Sequence, residues 1–454
     1  MTASRKFRAV TSKRELHNVY RSHVMNNTAV GRDGVSGPSI EVDWARTVQL
    51  IQVKMRAGTY MFTSYRQIAI SKGAHSLPRI VSVPTARDRI VLKSLAALLL
   101  DLFPAARTPP AQVRIQSLKA AIASGRWDSF IRIDVRNFYP SISHRSIRKA
   151  MKPKIRKPEI LALLMRAIST PTVTFRERRP NYSTLVGVPQ GLSISNILAE
   201  ISMLEMDSDF SGRVDLFYCR YVDDILILCN HLDQTRLLDE VDSACKRVGL
   251  TIHPLGEGSK TQVGETSNDF EYLGYRFTPQ CLSVRKSSVQ KLESTIVQLF
   301  TAYKYHMATK SDPDWKERSA RALRRRLDLV ISGCVYENVP RGWLHYFSQL
   351  DDITLLGRLD AFVVGMRKRF GLPDDWAAKT FTRAYWHITK PSPSSPSYVP
   401  NFDRFSDDAK RNFLSELFPR TSFDALNNQE LSVRFHAELK RLIAKLDRDI
   451  SQVS

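Results

Sequence analysis

The spacing of apolar and polar positions divides the chain into stretches of different character. In the first 60 residues apolar side chains recur at helical spacing, as in WARTVQLIQVKM, and GRDG at Gly31 to Gly34 supplies a polar turn between helices. The period then shortens. YRQIAI (Tyr65 to Ile70) alternates and is β-branched, a Gly/Ser-containing turn follows, and PRIVSVP (Pro78 to Pro84) completes the pattern of a hairpin with basic residues on it. IVLKSLAALLLDLF is apolar on all sides, as a buried helix would be. SFIRIDVRNF reads as a strand running into a turn at Tyr139 and Pro140, and LSISNILAEISMLEMD as a helix. DLFYCRYVDDILILC is two apolar runs with Asp223 and Asp224 at the joint, which predicts a strand pair. A helix of alternating charge (LDQTRLLDEVDSACKRVG), a short strand (LTIHP) and a hairpin-like piece (FEYLGYRF) complete this mixed stretch. From about residue 285 the pattern turns almost wholly helical, broken at Pro391 to Pro400 by PSPSSPSYVP, whose Pro and Ser content favours extended chain. The final segment repeats Phe435, Leu439, Leu442 and Leu446 at four-three-four spacing, which suits an assembly seam or a helix packed on its own domain.

Composition adds one strong constraint. The 454 residues are 43% apolar, ordinary for two or three folded domains, but the formal net charge is +23. An excess of that size and sign attracts polyphosphates, so nucleic acid is the first partner to consider. An anionic membrane surface would attract the same charge, yet no apolar run of about 18 residues could span a bilayer, and the N-terminal MTASRKFRAV is too polar for a signal peptide. Cys219, Cys229, Cys245, Cys281 and Cys334 are scattered, with no CxxC pair and an odd total. This argues against a disulfide framework or a zinc ribbon and for a reducing, cytoplasmic setting.

The candidate chemistry is acidic. Asp134 ends a predicted strand, and Asp223 and Asp224 sit where two others join. Singly, each also reads as a turn aspartate, common because Asp tolerates turn geometry. The pair is harder to dismiss, since FYCRYVDDILIL sets two charges at the rim of a core where a cation would offset them. Carboxylates converging at strand ends suit two-metal phosphoryl transfer, in which hard cations on a few oxygen ligands ionise the attacking hydroxyl and neutralise the leaving pyrophosphate.

The order of further motifs carries a resemblance. IRIDVRNFYPSI resembles the first palm motif of reverse transcriptases, GVPQGLSISNILAEI (Gly187 to Ile201) the second, and YVDD (Tyr221 to Asp224), preceded by Arg220, the third. LTIHPLGEGSKT is similar to the next motif, with Lys260 in the place of its lysine, and FEYLGYRF to the primer-grip hairpin. Upstream, VGRDGVSG, GTYMFTSYRQIAISK and PRIVSVPTARDRIVLKSL resemble the N-terminal extension and fingers of the bacterial lineage that includes group II intron and retron enzymes. These motifs follow one another across residues 30 to 277. The resemblance implies an α+β right-hand polymerase: fingers and palm, then a helical thumb and a helical C-terminal region. Its divisions would be an N-terminal helical extension (1–60), fingers and palm (61–280), a thumb-like domain (281–390), a Pro/Ser linker (391–400) and a C-terminal helical segment (401–454).

Roles follow from the same resemblance. Asp134 and Asp223 would ligate two magnesium ions, or manganese in their place, with Asp224 beside them and the Val135 carbonyl as a further ligand. Lys72 and Arg79 match the basic pair that grips the triphosphate of an incoming dNTP, where a random Lys and Arg would read as a solvated hairpin face. The types suit the task, because Arg clamps phosphate oxygens bidentately and Lys offers a point charge. Tyr139 stands where the family packs an aromatic against the sugar to exclude a 2′-hydroxyl, a position that a core tyrosine at a strand end also fits. Gln190 and Gly191 match the nucleotide-site turn, glycine permitting close backbone approach. Lys260 would protonate the leaving pyrophosphate, or stand as a surface lysine near a loop.

Beyond residue 285, RGWLHYFSQLDD resembles the thumb of bacterial reverse transcriptases, although Trp343, Tyr346 and Phe347 read as core at helical spacing. Arg321, Arg324, Arg325 and Arg326 in SARALRRRLDLV suit salt-dependent, sequence-independent phosphate contacts. RNA template, DNA product and dNTPs are the implied partners. FYPSI at Phe138 to Ile142 resembles the defence-associated and abortive-infection group, departing just afterwards with SHRSI where many members read YTHSI. Neither a nuclease-type Cys/His cluster nor an acidic RNase H set follows the thumb. That group implies antiphage cDNA synthesis on a noncoding RNA or without a template, homo-oligomers, and in some members a protein hydroxyl as primer, which Tyr398 in the linker would offer. Two other readings stand beside it. One is a mobile-element enzyme of the group II intron kind. The other is a catalytically inactive RNA-binding protein on a polymerase fold, opposed by the presence of all three aspartates.

Overall fold

The computed structural model describes residues 2–27, 29–71, 77–177, 183–308, 313–391, 398–419 and 421–448. The chain divides into two compact units, one of residues 1–109 and 127–265, the other of residues 110–126 and 266–454.

The first unit opens with the helices Ala3–Val10, Lys13–Val19 and Trp44–Arg56. Thr2 and Ser12 start the first two by accepting the N–H groups of Arg5 and Glu15, donors that a helix end leaves orphaned. Its strands in chain order are β1 (Tyr65–Ile70), β2 (Arg79–Val83), β3 (Ser129–Asp134), β4 (Thr172–Val173), β5 (Phe217–Tyr221), β6 (Asp224–Cys229) and β7 (Gln262–Glu265). β1 and β2 form the predicted antiparallel hairpin, and β4 pairs parallel to the other edge of β1. The second sheet runs β5-β6-β3-β7 with every neighbour antiparallel. Every residue of β6 is buried, which explains why its sequence is a continuous apolar run rather than an alternation. Helices Ser195–Phe210 and Gln234–Arg247 contribute Leu198, Ile201, Leu237 and Val241 to the core that holds Ile131, Ile133, Ile225 and Ile227. The helix Ala86–Leu102 buries Ile90, Leu92, Leu95 and Leu99 around its circumference, as its all-apolar pattern predicts. Truncating one such side chain to alanine costs about 2–5 kcal/mol.

One local expectation fails here. LTIHP does not extend into a strand; Ile252 makes a single antiparallel bridge with Val135. The backbone bonds Arg136 N–H to Thr251 O and His253 N–H to Asp134 O fix the crossing, and Pro254, with no N–H to give, ends it.

In the second unit, β8 (Phe270–Tyr272), β9 (Tyr275–Phe277) and β10 (Leu282–Val284) form an antiparallel meander. The turn between β8 and β9 puts Leu273 at φ 47° and Gly274 at φ 79°, the primed geometry that a right-twisted hairpin needs. The helices are Ala111–Ala123, Lys286–Ala308, Pro313–Ser332, Trp343–Tyr346, Ile353–Arg369, Phe381–Thr389, Asp407–Leu417 and Asn428–Arg448. A hairpin of β11 (Cys334–Tyr336) and β12 (Val339–Arg341) interrupts the helical run that the sequence predicts. Its turn residues Glu337 and Asn338 both have positive φ, and both donate backbone N–H groups to the Asp403 carboxylate at 2.8 Å. A distant side chain thus satisfies a turn that local sequence does not announce. The last helix buries Phe435, Leu439 and Ile443 against Phe402, Phe413 and Leu417, with Leu442 and Leu446 packed on the same cluster. Its repeat therefore serves its own domain. Among the described residues no helix is long and apolar enough to cross a membrane, and all five cysteines are free.

Candidate active site

The two-residue turn Val222–Asp223 joins β5 to β6, with Tyr221 paired to Asp224 at its base. Val222 has φ 59°, a left-handed conformation that β-branched residues avoid at a cost on the order of 1–3 kcal/mol. Arg220 holds the turn in place. The residue is 5% exposed, and its guanidinium donates to the Val222 carbonyl at 2.8 Å. It also pairs with Glu200 at 2.7 Å and with Asp207 at 2.5 Å, two carboxylates on one face of the helix Ser195–Phe210. Tyr218 adds its hydroxyl to Asp207 at 2.8 Å. One buried cation thus ties strand, helix and strained turn together.

Register places the carboxylates. β3 runs antiparallel to β6 with Asp134 opposite Asp224, and the Val135 N–H donates to the Asp223 carbonyl at 3.2 Å. Asp134 faces two basic groups, Lys260 Nζ at 3.0 Å and His253 Nε2 at 3.2 Å from its Oδ2. Asp224 is buried and turned to Arg132, whose Nε and Nη2 reach its two oxygens at 3.1 and 2.9 Å. Burial raises the pKa of Asp224, and Arg132 opposes that rise. Among the described residues Asp223 has no such clamp. Burial first, and then the charge of Asp134, push its carboxyl up to about 6.

These groups fit divalent ions in a specific way. Asp134 and Asp223 are hard oxygen donors close enough to repel, and a cation between such groups removes the repulsion. Among the described residues no three His, Cys, Asp or Glu side chains are set to hold an ion by themselves. The aspartate set divides accordingly: Asp224 is held by the half-buried Arg132, Asp134 is paired with the exposed Lys260 and with His253, and among the described residues Asp223 carries no ion pair. Such a set suits a hard divalent cation, for which one or two carboxylates leave the remaining positions to backbone oxygens, water and substrate phosphates.

Arg79, Gln190, Gly191 and Tyr139, the described residues expected to face the nucleotide, lie in the same unit. Arg79, the first residue of β2, donates its Nε to the Gln190 side-chain oxygen, and Ser82 N–H donates to the Gln190 carbonyl at 2.7 Å. Gly191 has φ 98°, and a Cβ there would lie 2.7 Å from Val81 Cγ1. Only glycine lets this turn lie against β2. Tyr139 lies within electrostatic reach of Asp223 and Arg79; burial and the Asp223 charge push its phenol up to about 12. Its hydroxyl donates to Asn196 Oδ1 at 3.0 Å. Lys72 lies outside the described residues, as do residues 392–397 of the Pro/Ser linker.

In the second unit the four arginines separate. Arg321 and Arg324 are exposed, whereas Arg325 pairs with Glu416 and Arg326 donates to the Leu417 carbonyl at 3.1 Å. The latter two face inward because the helix Asp407–Leu417 packs on their side. Trp343 and Phe347 are buried, and Tyr346 donates its hydroxyl to the Leu273 carbonyl at 3.2 Å, so all three are structural as their spacing predicts. Tyr398 is not a loose hydroxyl: its oxygen accepts the Thr380 N–H at 2.9 Å and its ring stacks on His387. Sequence reasoning missed the Arg220–Glu200–Asp207 cluster, Arg132 and Asn196. The available signal was an arginine inside an apolar strand, facing a helix with acids seven positions apart.

Residues 70–277 match the family profile described as reverse transcriptase (RNA-dependent DNA polymerase). Protein YkfC of Escherichia coli K12 is 22% identical over 297 residues, 54% of this chain and 75% of that protein. The 91 kDa protein in cob intron of Schizosaccharomyces pombe is 21% identical over 305 residues, 52% of this chain but only 36% of the fungal protein. Among solved structures, apo telomerase from Candida tropicalis aligns with TM-score 0.43 and 12% identity over 91% of this chain and 74% of that one. Telomerase from Candida albicans with a fragment of telomeric RNA aligns with TM-score 0.41 and 11% identity over 88% and 69%. The profile match covers the three palm motifs that the fold brings to one sheet and its adjoining helix, so residues 70–277 are a reverse transcriptase domain of right-hand polymerase fold, that of an RNA-directed DNA polymerase.

Proposed function

We propose that this domain copies RNA into cDNA with Asp134 and Asp223 as the carboxylates that hold two magnesium ions, the Val135 carbonyl supplying a further oxygen and Asp224 anchoring the site through Arg132. The observation that carries this reading is the convergence of Asp134 and Asp223 at one end of the β5-β6-β3-β7 sheet, with Asp223 the one carboxylate of the three that has no ion-paired basic partner among the described residues. Bound there, the ions would ionise the primer hydroxyl and neutralise the leaving pyrophosphate. The chain's own residues orient the reactants. Arg79, aimed by Gln190, clamps the dNTP phosphates together with Lys72, and Gly191 lets the backbone lie close to the nucleotide. Tyr139 lies within electrostatic reach of Asp223, and its hydrogen bond to Asn196 supports the reading of it as a gate against a 2′-hydroxyl. Lys260, paired with Asp134 and largely exposed, is the residue we assign to the leaving pyrophosphate.

The role we infer is cytoplasmic antiphage defence with an associated noncoding RNA, supported by FYPSI at Phe138 to Ile142. The similarity to a protein in a fungal intron favours a second reading, a mobile-element enzyme of the group II intron kind. Recovering the protein from resting and phage-infected cells and sequencing its bound RNA and cDNA separates them. One dedicated noncoding RNA with its cDNA supports the first reading, and intron RNA flanking the gene supports the second. Unselected cellular RNA without cDNA in both states contradicts both.

A further inference from the structure

The helix Phe381–Thr389 of the second unit buries Phe381, Ala384 and Tyr385 and turns another face outward. That face carries Arg383, Trp386 and His387, and Lys390 follows at the helix cap, so the four stand at i, i+3, i+4 and i+7 and form one ridge. Trp386 is 41% exposed, whereas the chain's other five tryptophans are half-buried or buried. Lys390 Nζ lies 4.7 Å from the Trp386 ring centroid. At the next residue the Tyr398 ring stacks on His387 at 5.1 Å, with planes 12° apart, and the guanidinium of Arg383, one turn before Trp386, lies 4.9 Å from the Tyr398 centroid. Lys379 reaches the same ring at 5.1 Å, and the Thr380 N–H holds its hydroxyl, so the aromatic is fixed in place. Among the described residues neither Arg383 nor Lys390 has a carboxylate partner; their neighbours are rings.

An exposed tryptophan flanked by cations that have no carboxylate partner among the described residues has a definite chemistry. Its face takes another π-face, and the cations at each side take anions spaced along a chain. A nucleic-acid strand offers both, but only when its bases are unpaired, because a duplex hides base faces in its own stack. We infer that Arg383, Trp386, His387 and Lys390 form a stacking platform for single-stranded nucleic acid, with one base on Trp386 and phosphates on Arg383 and Lys390. The inference deepens the RNA-copying reading and rests on it for the identity of the strand, while binding is measured without synthesis.

The test titrates the full chain with a 12-residue single-stranded RNA and follows tryptophan emission and anisotropy. The expected result is salt-dependent binding with quenching of the exposed tryptophan, and weaker binding of a duplex of the same length. Trp386→Ala should abolish the quenching and weaken binding by about tenfold. Arg383→Gln with Lys390→Gln should make the salt dependence shallower by about 1.4 in log–log slope, two single-strand phosphate contacts. Unchanged affinity and slope in these variants, at unchanged melting temperature, would overturn the inference. So would an emission change that follows protein concentration rather than RNA, which would mark an interface between copies. Primed synthesis on a short template, run in parallel, keeps the two readings apart. If the polymerase reading fails, the wild-type chain binds RNA at Trp386 but extends nothing; if the platform fails, extension persists and Trp386→Ala binds as wild type does.

Discussion

At the scale of single residues the site depends on Arg220 more than its distance from the chemistry suggests. Its one guanidinium bridges Glu200 and Asp207 and holds the carbonyl of the strained Val222. Removing one partner of a buried ion cluster leaves the others charged and unpaired, so Arg220→Ala is expected to cost about 3–5 kcal/mol in urea unfolding. A loss under about 1 kcal/mol would mean that the cluster is solvated in solution. Tyr139 makes a different kind of claim. Tyr139→Ala should raise incorporation of ribonucleotides relative to deoxyribonucleotides in primer extension, and an unchanged ratio would assign Tyr139 to packing alone. The aspartates were legible in the sequence because charges inside apolar strand runs stand out. Arg220 stood in the same run, but its partners lie on a helix 13 and 20 positions earlier, and that pairing exists only once the helix lies on the sheet. Asp224 shows the same limit: sequence grouped it with its neighbour, and strand alternation turned it to Arg132.

At the scale of elements, what periodicity dictates appeared and what tertiary contacts dictate did not. The β1–β2 and β5–β6 hairpins and the buried helix Ala86–Leu102 follow from local pattern. The β11–β12 hairpin depends on Asp403, 65 and 66 residues away, and LTIHP shrank to one bridge beside Pro254. The helix Ala86–Leu102 also carries a titratable group. Asp88 is buried in its first turn, accepts from Tyr60 Oη at 2.8 Å and from Thr63 N–H at 3.2 Å, and burial pushes its carboxyl up to about 6. A pKa raised on folding favours the protonated native state, so this contribution is complete below about pH 4 and is lost as pH rises through about 6. The linkage is on the order of 3 kcal/mol. Asp88→Asn should therefore lose less stability than wild type between pH 4 and pH 7 in matched melts. Parallel pH profiles would show that Asp88 ionises freely in the fold.

At the scale of the whole molecule, a net charge of +23 has to be located before it explains binding. The arginine run of the helix Pro313–Ser332 shows why composition alone cannot do so: Arg321 and Arg324 are outward, while Arg325 and Arg326 hold the helix Asp407–Leu417. Replacing Arg321 and Arg324 with Gln should weaken template binding and make its salt dependence shallower by about 1–2 in log–log slope. Arg325→Gln should leave that slope alone and cost at most about 1 kcal/mol, the worth of a half-exposed pair. The reverse outcome would place nucleic acid on the packed side of the helix. The central claim is that Asp134 and Asp223 make this chain an RNA-copying polymerase, and primer extension on a defined RNA template in magnesium tests it most directly. The wild-type chain should extend the primer with dNTPs. Asp134→Ala and Asp223→Ala should each bind the template as wild type does yet lose extension by a factor on the order of 10³ or more. Extension by either variant at the wild-type rate, or none by the wild-type chain on a template it binds, would contradict the account.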